Sequence, residues 1–273
     1  MRNADRLFVI SGLPRSGTTY LAALLHRPPS LVTLSDTGGV WRRFHKEGAS
    51  FPKFLEIADT LVDLISSGGP VPTFEGTPGW RGESRIDTWN QLKEMRALAV
   101  APGFRLGLKN PEVFLGHIHT LLAGGIQCVV SVRHPALIIN SWSMRVAQRV
   151  ERGGSITGTF GDGASVVYSS TAPTRIERCV ELHNHLAEKI AAHADHPGLL
   201  LVRHEDWLLD GRRQLERVRE FLGLDGPLSL DPLPIPSDPV NLPADEVSTI
   251  LAHCTIASRF GYPMRDGRLT SPD

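Results

Sequence analysis

The chain is short of cysteine. Cys128, Cys179 and Cys254 are the only three in 273 residues, odd in number and far apart. No Cys-x-x-Cys pair and no Cys/His zinc spacing occurs, which excludes a disulfide framework or a zinc module as the organising device. Buried free thiols in a reducing compartment are the expectation, and with them a cytoplasmic location. Charge of one sign is not in excess either: 29 Lys and Arg face 29 Asp and Glu. Broad nucleic-acid binding normally shows as a basic surplus or stripe, so no nucleic-acid partner is expected. A local basic pocket still fits inside a balanced total. Long apolar runs are missing as well. None approaches the roughly 18 residues of a membrane span, and the apolar stretch Leu7–Leu13 runs into a glycine loop rather than a secretory cleavage site. Neither a transmembrane segment nor a leader is expected. Internal repeats are absent, and the length suits one domain over residues 1–273.

What is present alternates. Short apolar runs at Leu7–Ser11, Arg105–Leu108, Ile126–Val132 and Leu199–Val202 read as buried strands. Helical patterns lie between and after them, at Thr18–Leu25, Phe54–Ile65, Val113–Leu122, Leu137–Val150, Arg175–Ala194, Gln214–Leu222 and Ala244–Ser258. That alternation predicts a three-layer α/β domain around a mostly parallel sheet. The stretch 151–173 is rich in Gly, Ser and Thr. Two readings stand for it, a mobile lid over a substrate site and a disordered insertion. The proline-rich stretch 226–243 reads as a rigid meander.

The run Leu7-Phe-Val-Ile-Ser-Gly-Leu-Pro-Arg-Ser-Gly-Thr-Thr-Tyr-Leu21 carries the first chemistry. A strand ends in a loop with the Gly-x-x-x-x-Gly spacing of a phosphate-binding loop, and a helix follows at once. Thr18 stands where the nucleotide-triphosphatase motif requires Lys. The cation is instead Arg15, inside the loop, where its planar fork suits phosphate or sulfate oxygens. Pro14, Arg15, Ser16, Gly17, Thr18 and Thr19 are therefore the candidate anion cradle. It combines converging backbone N–H groups, a helix N-terminus and hydroxyl donors.

Two further strands end in a cation. Val129-Val-Ser-Val-Arg-His-Pro135 brings Arg133 to a strand's carboxyl end, with Pro135 suited to the first turn of the next helix. Ser141 lies eight residues on, within reach of the same anion from an inward helix face. Leu106-Gly-Leu-Lys-Asn-Pro111 ends likewise in Lys109. Singly, each is an ordinary surface charge. Together they point to the sheet edge where α/β proteins bind ligands.

These segments resemble a family. Gly12-Leu-Pro-Arg-Ser-Gly-Thr-Thr19 is similar to the phosphosulfate loop of sulfotransferases that use 3'-phosphoadenosine-5'-phosphosulfate (PAPS), and Arg133 with Ser141 resembles their 3'-phosphate motif. Leu199-Leu-Leu-Val-Arg-His-Glu-Asp-Trp207 and Glu220-Phe-Leu-Gly-Leu224 resemble the family's later strand, acidic turn and helix end. The loop is most similar to that of the tyrosylprotein sulfotransferases, which share Pro-Arg-Ser-Gly-Thr-Thr. In that branch a Lys-Asp-Pro segment lies where Lys109-Asn110-Pro111 stands, and a Glu base lies 21 residues after the loop Arg. Asp36 occupies that spacing here.

The resemblance implies a P-loop-like transferase moving a sulfuryl group from PAPS to an acceptor hydroxyl, in line and without a metal. Arg15, Lys109 and Asp36 become the catalytic candidates. His45, Glu75 and His117 are rival bases. His117 and His119 are spaced i,i+2 on a predicted helix and do not share a face, which argues against a metal pair. His204 replaces the family's usual Tyr beside the adenine. The basic Arg-Lys-Gly segment of many members is lacking, Ser258-Arg259-Phe260-Gly261 being its nearest remnant. The acceptor pocket falls to residues 38–96 and 151–173, with Trp41, Phe44, Phe51, Phe54, Trp80, Trp89, Arg42, Arg43, Arg81 and Arg85. These suit a small molecule, carbohydrate, lipid or peptide alike. Two alternatives remain, a nucleotide kinase or hydrolase with a degenerate P-loop, and a non-catalytic nucleotide-binding protein.

Overall fold

The computed structural model describes residues 3–35, 44, 50–73, 94–150, 172–225 and 240–272. Five parallel strands form the central sheet: β1 (Leu7–Gly12), β2 (Leu31–Ser35), β5 (Arg105–Lys109), β6 (Gln127–Val132) and β7 (Leu199–Arg203). Their order is β2-β5-β1-β6-β7. Two antiparallel ribbons stand apart from it, β3 (Val71–Thr73) with β4 (Glu94–Arg96), and β8 (Met264–Arg265) with β9 (Arg268–Leu269). The helices are α1 (Thr18–Leu24), α2 (Phe51–Ser66), α3 (Pro111–Gly116), α4 (Ile118–Ala123), α5 (Pro135–Val150), α6 (Arg175–Ala191), α7 (His204–Leu222) and α8 (Ala244–His253).

The period of two along each strand sorts the core into two layers. Leu7, Val9, Leu106, Leu108, Cys128 and Val130 face one side, where α2, α3, α5 and α6 bring Phe54, Phe114, Ile139 and Leu186. Phe8, Ile10, Val129 and Val202 face the other, where α1 and α7 bring Leu21, Trp207 and Leu222. This is the expected three-layer arrangement. The chain leaves β1 and β7 toward one face, and leaves β5 and β6 toward the other. The carboxyl end of β1 therefore lies between two strands whose connections run the opposite way, the crevice position at which such sheets bind ligands.

The strands expected at Leu7, Arg105, Ile126 and Leu199 all form, each within a residue or two of its expected bounds. The differences have local causes. The single helix expected over Val113–Leu122 is two, because His117 leaves helical geometry (φ −117, ψ 20) and its ring packs edge-on to Phe44 at 5.3 Å. The helix expected from Gln214 begins at His204. A kink at Asp210 (φ −150, ψ 72) divides it, and the Asp210 carboxylate caps the second half by accepting from the Arg213 N–H at 3.0 Å. The helix expected to run to Ser258 stops at His253 and gives way to a 3-10 turn over Thr255–Phe260. Strand β2 was hidden by its short, partly polar run.

The three cysteines are free and buried. Burial pushes the Cys128 and Cys179 thiols up to about 12 and Cys254 higher still, so none is a ready nucleophile. Among the described residues no helix is long and apolar enough to cross a membrane.

Candidate functional site

The loop after β1 is shaped by two glycines. Gly12 (φ 140) passes so close to β6 that a Cβ would lie 2.0 Å from the Ser131 carbonyl oxygen. Gly17 (φ 89) is the N-cap of α1, and no side chain caps that helix. A Cβ on Gly17 would lie 2.4 Å from Nδ1 of His204, whose ring is pressed against the loop from the start of α7. Both positions require glycine, by left-handed backbone and by close approach. Arg15 itself adopts φ 73, an uncommon conformation for a residue with a side chain.

Strand β6 and helix α5 hold the loop in place. Ser16 Oγ donates to the Ser131 carbonyl at 2.8 Å, and Ser131 Oγ donates back to the Ser16 carbonyl at 2.5 Å. The Ser16 N–H donates to the Leu13 carbonyl at 3.1 Å. The indole of Trp142 donates to the Pro14 carbonyl at 3.1 Å. Ser16 and Pro14 thus shape the loop from within: Ser16 has committed both its donors, and proline has no N–H to offer. Gly17, Thr18 and Thr19, the remaining residues of the candidate cradle, form the N-cap and first turn of α1. The reciprocal partner Ser131 lies within the Val129–Pro135 motif but had no role of its own there, and the brace Trp142 lies outside the motifs, next to Ser141. Their only signal in the sequence is proximity to Arg133 and Ser141.

Two of the cations meet at this loop. Arg15 Nε donates to Ser141 Oγ at 2.9 Å, so Ser141 does sit on the inward face of α5. Arg133 Nη1 reaches the Arg15 carbonyl at 3.5 Å, the outer limit of a hydrogen bond. Lys109 ends β5 in register with Ile10 on one side and Ser35 on the other. Lys109 is 2% exposed and Arg133 6%, whereas Arg15 is half-buried. Asn110 caps α3 by accepting from the Val113 N–H at 3.1 Å, and Ser11 Oγ donates to the Pro111 carbonyl at 3.0 Å, which fixes the turn behind Lys109.

His204 lies at the end of the next strand, β7, and is buried. The strands β5, β1, β6 and β7 are consecutive neighbours, so Lys109, Arg15, Arg133 and His204 follow one another along a single sheet edge. Asp36 directly follows Ser35, the partner of Lys109 in register; Asp36 itself lies outside the described residues. So do His45, Glu75, Trp41, Trp80, Trp89, the arginines at 42, 43, 81 and 85, and residues 151–171. His117 turns to Phe44, while His119 stacks on His193 at 5.6 Å, so the two histidines have separate partners. Among the described residues no group of three or more His, Cys, Asp or Glu side chains is placed to hold a metal ion.

Beside the cations lies a buried polar network. Glu205 Oε1 accepts from the His134 N–H at 2.8 Å, and Glu205 Oε2 accepts from the Tyr262 hydroxyl at 2.7 Å. His134 Nδ1 accepts from the Ala136 N–H at 3.2 Å, which leaves Nε2–H to donate to the Thr270 carbonyl at 3.0 Å. The imidazole is therefore neutral. Burial lowers its pKa, opposed by Thr270 and Glu205.

No family model matches the sequence, and no curated protein matches it in sequence. Solved sulfotransferases are similar to it in structure. A sulfotransferase from Alicyclobacillus acidocaldarius aligns with TM-score 0.46 and 15% identity, over 92% of each chain. Sulfotransferase STF9 from Mycobacterium avium aligns with TM-score 0.45 and 15% identity, over 93% of this chain and 76% of that one. Mouse sulfotransferase SULT7A1 complexed with PAP aligns with TM-score 0.39 and 13% identity, over 96% of this chain and 68% of that one.

Proposed function

We propose that the protein is a sulfotransferase that moves a sulfuryl group from PAPS to the hydroxyl of an acceptor. The observation that carries the reading is the row of cations: Lys109, Arg15 and Arg133 end three adjacent parallel strands, two of them buried, and Arg15 is joined to Ser141. Cations, hydroxyls and backbone donors at one edge, with a helix start that no side chain caps between them, form a donor set that fits a nucleotide carrying two separate phosphates.

PAPS supplies a sulfuryl group whose departure leaves a bisphosphate. The N–H groups of Gly17, Thr18 and Thr19 would hold its 5'-phosphate, and Arg133 with Ser141 its 3'-phosphate. His204 would border the adenine. Arg15 and Lys109 offset negative charge as the S–O bond to the leaving phosphate breaks. Asp36 takes the proton of the attacking acceptor hydroxyl, a contribution of ~10²–10⁴-fold in general-base catalysis. By analogy with phosphoryl transfer, in-line positioning and charge neutralisation carry most of the catalysis.

The deciding experiment is titration calorimetry with adenosine 3',5'-bisphosphate (PAP) in chelator. Tight metal-independent binding of PAP, with weaker binding of ATP, is expected. A preference for magnesium–ATP would favour a kinase or hydrolase and overturn the reading. A labelled-donor screen over phenols, sugars, lipids and peptides then identifies the acceptor, and no transfer to any of them would indicate a binding protein.

A further inference from the structure

The C-terminal segment is fastened to the strand end that carries Arg133. Thr255–Phe260 and the β8–β9 ribbon follow α8 and contribute nothing to the central sheet. They nevertheless reach the cation row through Glu205. One oxygen of that carboxylate accepts from the backbone N–H of His134, the residue after Arg133, at 2.8 Å. The other accepts from the Tyr262 hydroxyl at 2.7 Å. The His134 ring is gripped from the opposite direction, through Nε2–H to the Thr270 carbonyl at 3.0 Å. Its plane stands edge-on to the Tyr262 ring at 5.4 Å. Arg203, at the end of β7, completes the joint. It donates to the Gly261 carbonyl at 2.8 Å, lies 5.6 Å over the Tyr262 ring, and bonds Asp206 through Nε at 3.1 Å.

We propose that Glu205 is a positioning residue that sets the Arg133 turn and, through Tyr262, makes the C-terminal segment part of the donor site. The inference rests on the PAPS reading of that site. A backbone N–H held by a carboxylate fixes the direction in which the preceding residue leaves its strand. Arg133 leaves β6 one residue before that N–H, and its guanidinium reaches the Arg15 carbonyl. Tyr262 is buried, and desolvation with Glu205 beside it raises its pKa well above the usual value, so it stays a donor. Both halves of the joint are thus committed, and loosening one loosens the other.

The test compares wild type with Tyr262→Phe, which removes one hydroxyl, and Glu205→Gln. PAP and 5'-AMP are titrated calorimetrically, and melting temperatures are recorded. A positioning role at Arg133 weakens PAP about tenfold, the scale of one charge-assisted hydrogen bond, and leaves 5'-AMP nearly unchanged. The PAP-to-AMP preference therefore falls. Equal weakening of both nucleotides indicates a merely structural role and overturns the inference, as does unaltered PAP affinity. Wild-type hydrogen exchange is a second arm that needs no variant: PAP should slow exchange across 260–270, and no change there overturns the proposal. If wild type binds no PAP at all, the PAPS reading fails and this inference with it. If wild type binds and the variants match it, this inference alone fails.

Discussion

Arg15 and Ser141 lie 126 positions apart in the chain, and their side chains meet at 2.9 Å. Arg15 belongs to the loop after β1, and Ser141 to the second turn of α5 after β6. The contact fastens the loop after β1 to the helix after β6 at one cationic sheet edge. Removing the Ser141 hydroxyl should lower affinity for PAP by about tenfold, in the range for a hydrogen bond to a charged group. Calorimetry of Ser141→Ala measures it, and unchanged affinity would detach Ser141 from the site.

Charge neutralisation at the transferred group predicts a larger loss. Arg15→Ala and Lys109→Ala should each reduce transfer by about 100-fold or more, as removal of an electrostatic stabiliser does elsewhere. Circular dichroism should still report a folded protein. Wild-type turnover in either variant would remove that residue from the mechanism.

A separate effect is expected at Asp36. Replacing its carboxylate with an amide in Asp36→Asn should slow the chemical step by ~10²–10⁴-fold, with PAP affinity close to wild type. Single-turnover measurements isolate that step. An unaltered rate would eliminate Asp36 and turn attention to His45 and Glu75.

Gly17 and His204 should couple. Gly17→Ala places a Cβ 2.4 Å from the imidazole and forces a side chain into φ 89. The backbone conformation alone costs about 1–2 kcal/mol. Adding His204→Ala removes the clash and leaves the backbone strain, so the two changes should be non-additive in a double-mutant cycle read by urea unfolding. Strict additivity would mean that the ring does not hold the loop.

Stability should fall with acid through His183. Burial lowers its pKa to about 4 from an ordinary 6.5; the Asn184 hydrogen bond opposes this and nearby His134 adds to it. The unfolded chain binds the proton more readily, so the contribution is complete above pH 6.5 and is lost as pH falls toward 4. The loss is about 3 kcal/mol at most. Urea unfolding across that range should show the slope, and His183→Gln should flatten it. The lowered pKa of His134 acts in the same direction. A slope identical in His183→Gln would place the proton uptake elsewhere.

The residues themselves determined much of this. Four buried strands were readable because a short apolar run between loop residues is too brief for a helix and too apolar to stay in water. The helix from Arg175 was readable from apolar spacings of three and four, and the fold starts it on a capping box of Thr174 with Glu177. The cation at each strand end was readable too, since the strand determined where the chain would turn. Helix breaks at His117 and Asp210 were not readable, because each depends on a side chain finding a distant or local partner in place of the next helical turn. The commitment of Ser16 to Ser131, the pressure of His204 on Gly17 and the Glu205–Tyr262 joint were decided only by the fold. Each joins segments at least 57 residues apart. A contact of that span follows from which strands lie side by side, and strand order is a property of the packed sheet rather than of any one segment. The loop carried Arg15; the order β5-β1-β6 decided that Lys109, Arg15 and Arg133 would lie along one sheet edge.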